Sequence, residues 1–300
     1  MAESTQSTHP VVVGTDFQSA AKAAAIWAGA RALALGEPLT LVASAPGVPM
    51  PSRTSVYDAM RSSDYSDQVK ARIAEHLEIE AQRVRDAYPG LVVETLVAEG
   101  DAAGVLVDLS RTARFTVIGT HGKPEFADRI LGSTAEGVVS NAFGTVVAVP
   151  PDGLAAVGPV VVGIDDPSHN PDVLRVAHVE AQAMGKPLVV LHIWQELVFG
   201  TPFDLTTVLA DPDVITAEAQ RVISEAMDSY RDQFPQVESS LEVAQGFPRD
   251  VLVQRSRSAS ALVIGARGKG GFLGLLLGST SRTVVRNAHC PVIVVRPRPS

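Results

Sequence analysis

Three hundred residues are enough for two ordinary domains, since single hydrophobic cores usually stop growing at about 100 to 200 residues. A composition 46% hydrophobic and 19% charged belongs to compact globular chains, and a net charge of -8 sets the mean field against nucleic acid and anionic membranes as main partners. The single cysteine, Cys290, excludes an intrachain disulfide framework and a multi-cysteine zinc site and points to a reducing compartment.

From the start, MAESTQSTHP has neither the basic nor the apolar region of a secretory signal, and no apolar run reaches the roughly 18 residues of a spanning helix. A cytoplasmic location without membrane is expected. Val11 to Gly14, apolar and β-branched, predicts a strand. The alanine-rich stretch SAAKAAAIWAGARALALG then predicts a helix closed by Gly36, a residue type suited to a left-handed C-terminal turn. LTLVAS reads as a second strand, followed by a Pro-, Ser- and Asp-rich insertion over 45 to 63 and an amphipathic helix near 64 to 88. A strand in VVETLVAEG, a short helix over 101 to 113 and the strand FTVIG lead into GTHGKPEFADRILGST. A helix and the strand VVAV complete this half.

After the Pro- and Gly-punctuated linker PPDGLAAVG, 150 to 158, the same order begins again. PVVVGTD at 10 to 16 recurs as PVVVGID at 159 to 165, an offset of 149. The glycine segment at 119 recurs as GARGKGGFLGLLLGST at 265, an offset of 146, and NAFGTVVAV at 141 recurs as NAHCPVIVV at 287. Between them lie a helix ending at Gly185, the strand LVVLHIW, an insertion over 195 to 212, a helix near 213 to 233, VESSLEVAQG, a helix over 247 to 258 and ALVIG. The repeat defines domains over 1 to 152 and 153 to 300.

Strands that are apolar on both faces and alternate with helices predict an α/β fold of two tandem doubly wound domains, each a five-stranded parallel sheet flanked by helices. Ligands of such sheets settle beyond the carboxyl ends of the strands, where strand order reverses. There the first strand delivers Asp16 or Asp165, and the fourth delivers Gly119 or Gly265. The apolar runs VVAV and VIVV fall at exposed edges, and the two halves are expected to cover one another there.

Both glycine segments share one spacing: Gly, two residues, Gly, nine residues, Gly-Ser, at Gly119, Gly122, Gly132 and Ser133 and again at Gly265, Gly268, Gly278 and Ser279. Glycine directly after a buried strand adopts positive φ without strain and lets a ligand approach the main chain. The third glycine, with Ser133-Thr134 or Ser279-Thr280, starts a helix whose unpaired amides and positive dipole end favour a phosphate. The alternative is an ordinary strand-to-helix loop, but two copies that differ at most intervening positions while keeping the glycines and the Ser-Thr pair favour an anion cradle. A P-loop needs Gly, four residues and Gly-Lys-Ser/Thr, which neither copy supplies, and a dinucleotide fingerprint needs more than the single glycine after each first strand.

On these residues the chain resembles the universal stress protein family, in its tandem, ATP-binding form. The resemblance covers both halves and implies ATP with Mg2+ in the cleft, and pairing of domains through their fifth strands. It further implies that Gly14, Asp16 and Ile118 in one half, and Gly163, Asp165, Ile193 and Ile264 in the other, shape the base and ribose pocket, with Val162 beside them. The carboxylates of Asp16 and Asp165 suit ribose hydroxyls; a helix N-cap is their alternative role. Where the C-terminal half has His192-Ile193, the N-terminal half has Ala43-Ser44, a departure that bears on its base contact. His192 reads as a packed strand-end histidine.

The two cradles differ in charge. The C-terminal copy carries Arg267 and Lys269 with no acid, whereas Lys123 and Arg129 are offset by Glu125 and Asp128, which predicts tighter triphosphate binding in the C-terminal half. No Ser-His-Asp, His-Glu-x-x-His or metal-spaced cluster is evident, and the resemblance implies a nucleotide-dependent regulator of stress response or growth. A slow ATPase or adenylate-using enzyme on the same cleft, and a nucleotide-free dimeric scaffold, stand as alternatives. A homodimer is the expected assembly.

Overall fold

The structure is a computed structural model, and it describes residues 9–45, 56–120, 131–155, 157–167, 171–195, 198–201, 204–207, 212–267 and 277–296. The chain divides into two compact units, one running to Leu154 and the other beginning at Ala155.

In the first unit, β1 (Val11–Gly14) lies at the centre, with β2 (Leu39–Ala45) and β3 (Val93–Glu99) on one side and β4 (Phe115–Gly119) and β5 (Val146–Val149) on the other. All neighbours are parallel. Val11, Val12 and Val13 are almost completely buried, as expected for a strand covered on both faces. The helices are α1 (Ser19–Leu35), α2 (Val56–Ala87), α3 (Ala102–Leu109) and α4 (Ser133–Asn141). Helix α1 ends at Gly36 with φ 67°, its amide turned back to the carbonyls of Ala32 and Leu33, the left-handed closure anticipated from the sequence.

The second unit repeats the plan. Its strands run β10 (Ser239–Gln245), β7 (Leu188–Trp194), β6 (Val160–Ile164), β11 (Ala261–Gly265) and β12 (Val292–Val295) across the sheet, parallel throughout. Helices α5 (Pro171–Met184), α6 (Pro212–Arg231), α7 (Pro248–Arg255) and α8 (Ser279–Asn287) connect them. In both units the chain leaves the first strand in one direction and returns to its other side with the fourth. Strand order therefore reverses between β1 and β4, and between β6 and β11, and a crevice opens at their carboxyl ends.

Two insertions differ from the sequence reading. Helix α2 begins at Val56, not near residue 64. Ser62, Ser63 and Asp64 are good capping types and mark a start locally, but the helix continues through them. The second insertion contains a short antiparallel hairpin of β8 (Val198–Thr201) and β9 (Asp204–Thr207).

Candidate functional site

A cavity of about 280 Å3 lies at the strand-order reversal of the first unit, in the volume class of small-molecule sites though at its lower edge. Gly14, Asp16, Ile118, Gly119, Gly132, Ser133 and Thr134 all line it, so most of the N-terminal residues named from the sequence converge on one space. Gly122 and Gly268 lie outside the described residues. In the second unit Gly163 and Ile264 are register partners at the ends of β6 and β11, as Gly14 and Ile118 are in the first. Asp165 follows β6, Ile193 sits near the end of β7, Gly265 ends β11, and Gly278, Ser279 and Thr280 open α8.

The polar wall is the first turn of α4. Its N-cap is Gly132, and the first bond of the helical ladder runs from the Glu136 amide to the Gly132 carbonyl at 2.9 Å. The amides of Ser133, Thr134 and Ala135 precede that bond, and all three residues line the cavity. Helix α8 starts in the same way, with Arg282 N–H on the Gly278 carbonyl at 3.0 Å. There the repeat brings Ser281 to the place of Ala135, and its hydroxyl donates to the Gly265 carbonyl at 2.8 Å, tying the helix start to β11.

The glycines serve packing more than the sequence reading supposed. Gly132 and Gly278 have φ of -58° and -69°, open to any residue type. Gly119 is extended strand, and a Cβ there would lie 2.5 Å from the backbone carbon of Ala20, so α1 itself requires its absence. A Cβ on Gly14 would meet Leu106 at 2.5 Å, and one on Gly163 would meet Leu252 at 2.9 Å. These two glycines let α3 and α7 rest close against the first strand of each sheet. That contact makes Val105 and Leu106 apolar walls of the cavity, a contribution absent from the sequence-derived site.

Asp16 is exposed at the cavity, and its Oδ1 accepts the Gln18 amide at 3.0 Å in a tight turn before α1. It therefore combines a turn-forming bond with a place on the site. Ser44 also lines the cavity, but its hydroxyl donates to the Gly100 carbonyl at 2.5 Å, leaving the wall around it largely apolar. In the second unit His192 donates from Nδ1 to the Ile164 carbonyl at 3.0 Å, the packed strand-end role read from the sequence.

Thr15, also on the cavity wall, leads to a group the sequence reading passed over. Its hydroxyl contacts Glu80 Oε2 of α2 at 3.0 Å and accepts the Phe17 amide at 3.0 Å. Glu80 is 3% exposed, and burial pushes its carboxyl above the usual range, against the pull of the Thr15 hydrogen bond, Lys22 and Arg83. In the second unit Arg267 and Arg296 follow β11 and β12. Burial, with Arg267 as the lesser cause, pushes the Arg296 guanidinium down to about 10. Lys269, Lys123 and Arg129 lie outside the described residues.

The model of the universal stress protein family matches residues 7–150 and again 157–296. The chain belongs to the universal stress protein family. A universal stress protein of Mycolicibacterium smegmatis is 30% identical over 291 residues, covering 96% of this chain and 97% of its own. Rv2005c of Mycobacterium tuberculosis, also a universal stress protein, is 31% identical over 302 residues, with 96% and 97% covered. Among solved structures, a universal stress protein from Archaeoglobus fulgidus shares the fold with a TM-score of 0.71 at 21% identity, covering 97% of this chain and 99% of its own. Another from that organism, solved in complex with dAMP, is 30% identical over 47% of this chain and 98% of its own, with a TM-score of 0.35. Two copies of the family fold thus run in tandem through the chain. Among the described residues no helix is long and apolar enough to cross a membrane.

Proposed function

We propose that the chain is an ATP-binding universal stress protein, a cytoplasmic regulator whose occupancy by nucleotide alters its partners or assembly. The observation that carries this reading is the cavity at the β1/β4 crevice. It joins three helix-start amides at Ser133, Thr134 and Ala135, a carboxylate at Asp16, and apolar walls from Val42, Val105, Leu106 and Ile118. Such amides suit phosphate oxygens, the carboxylate suits ribose hydroxyls, and the apolar walls suit a planar base. Magnesium would arrive with the phosphates, whose oxygens supply its ligands. Gly163, Asp165, Ile193, Ile264 and Gly265, with Gly278, Ser279 and Thr280, are assigned the same parts in the C-terminal cleft.

The C-terminal cleft binds the triphosphate more tightly in this proposal, because Arg267, whose Cα lies 3.8 Å from a Cβ built on Gly278, and Lys269 come with no acid, while Lys123 and Arg129 are offset by Glu125 and Asp128 in the other half. Native mass spectrometry with ATP and magnesium tests the reading by counting nucleotides per chain. Two are expected at saturation, and the C-terminal cleft fills first. A chain that stays empty overturns the proposal. Sedimentation with and without ATP tests the homodimer assigned to the same reading.

A further inference from the structure

Behind the N-terminal cavity, α2 contributes a pair of groups to the loop that carries Asp16. Glu80 reaches Thr15, and His76, one turn earlier, lies against Phe17 with ring centroids 5.7 Å apart. Phe17 has φ 65°, an unusual conformation for a residue other than glycine, held by the hydrogen bond its N–H donates to the Thr15 hydroxyl. Glu80 Oε1 has no hydrogen-bond partner although it is buried. An acid enclosed this way is retained at a cost in stability, which calls for a role beyond packing.

The internal repeat sharpens the point. At the offset of 149 Thr15 corresponds to Ile164, and at the offset of 146 Glu80 corresponds to Ala226. Leu77 and Ile223, related by the same 146, are both almost fully buried, which fixes the alignment of α2 with α6. Hydroxyl and carboxyl have together become two apolar side chains. The dyad belongs to the N-terminal cleft alone.

A hydroxyl has one hydrogen and two acceptor positions. The Phe17 amide occupies one acceptor position of Thr15. When Glu80 is ionised, the Thr15 hydrogen points to Oε2 and the remaining lone pair is available to the cavity. When Glu80 takes a proton from solvent, the acid O–H donates to Thr15, and the Thr15 hydrogen turns outward. We propose that Glu80 is a positioning and specificity-determining residue of the N-terminal cleft: it sets whether Thr15 offers a bound nucleotide a hydrogen-bond acceptor or a donor. The inference rests on the reading of this cleft as a nucleotide site. The charged and titratable groups around the acid are Lys22 of α1, Arg83 of α2 and Asp16 of the loop, with His76 beyond Phe17. Its displaced titration brings the exchange toward the neutral range.

The test is ATP binding by calorimetry at about pH 5.5 and about pH 7.5, on the full chain. Gly278→Asp blocks the helix start of the C-terminal cleft so that the N-terminal one is read alone, and Gly132→Asp gives the converse control. In the N-terminal cleft Glu80→Gln, a permanently neutral donor to Thr15, is expected to remove a pH dependence of about threefold or more. Thr15→Val is expected to remove it too, and the C-terminal cleft is expected to respond to neither change. The titration of ATP itself cancels in these comparisons. Carboxyl 13C NMR of the free chain, read against Glu80→Gln, is expected to show one acid titrating above the rest. If both variants fold and keep the parent affinity and pH profile, Glu80 has no such role while the nucleotide reading stands. If no variant and no parent chain binds ATP, the nucleotide reading falls and this inference with it.

Discussion

Gly278→Asp separates stability from binding by sign. Gly278 is the N-cap of α8 with φ -69° and ψ 157°, backbone that an aspartate adopts without strain. A Cβ there finds only ordinary contacts, the nearest being the Ala266 carbonyl oxygen at 3.4 Å. The new carboxylate accepts from the amides of the first turn and faces the positive end of the helix. Capping and dipole together stabilise the fold by about 0.5 to 1 kcal/mol. The same carboxylate occupies the amides that a phosphate would use. A unit charge about 4 Å away at an effective dielectric near 20 interacts by about 4 kcal/mol, and exposure to salt roughly halves this. A loss of about 2 to 4 kcal/mol corresponds to roughly 30- to 700-fold weaker ATP binding at that cleft. Thermal unfolding and calorimetry on one preparation read both effects. A rise in Tm with unchanged nucleotide affinity would show that the phosphates do not sit on α8. Gly132→Asp, with φ -58° and ψ 153°, is expected to do the same to the N-terminal cleft.

Other substitutions test the packing around the sites. Gly119→Ala forces a Cβ to within 2.5 Å of α1 backbone and is expected to destabilise by more than about 2 kcal/mol; a neutral Tm would refute the close helix–strand contact. His178 is buried against Tyr230 and Phe234, with Nδ1 donating to the Leu174 carbonyl at 2.8 Å, and desolvation lowers its pKa from 6.5. Because the unfolded chain then binds the proton more readily, stability is full above that ordinary value and falls as the pH drops through it; His178→Phe should flatten this slope in urea titrations between pH 7.5 and 5. Burial pushes the Cys290 thiol up to about 12, so maleimide should label it only after unfolding, and rapid labelling of the native protein would contradict the buried position.

Much of the fold was legible because its signals are local. Buried β-branched runs gave the strands, Gly36 and Gly185 closed the helices after the first strand of each unit, and φ of 67° and 59° bears out both. The repeat then carried each assignment across to the other half. The crevice between the first and fourth strands was reached through a topology rule, since no local feature says that β1 lies between β2 and β4. The α3 wall escaped notice for the same reason: Leu106 reaches Gly14 across 92 positions of sequence, and the contact exists only once the chain has returned to the sheet.

The glycines show how one spacing can answer to two causes. Gly14 and Gly119 hold helices close to strands, and both also line the cavity together with Asp16 and the first turn of α4. Packing and the proposed binding therefore fall on the same positions, and a motif of glycines cannot by itself separate them. Side chains that change together between the two copies can. Thr15 with Glu80 became Ile164 with Ala226, and Ala135 stands where Ser281 ties α8 to β11. If both clefts bind nucleotide as proposed, exchanges of this kind behind a preserved frame make the two bind it differently.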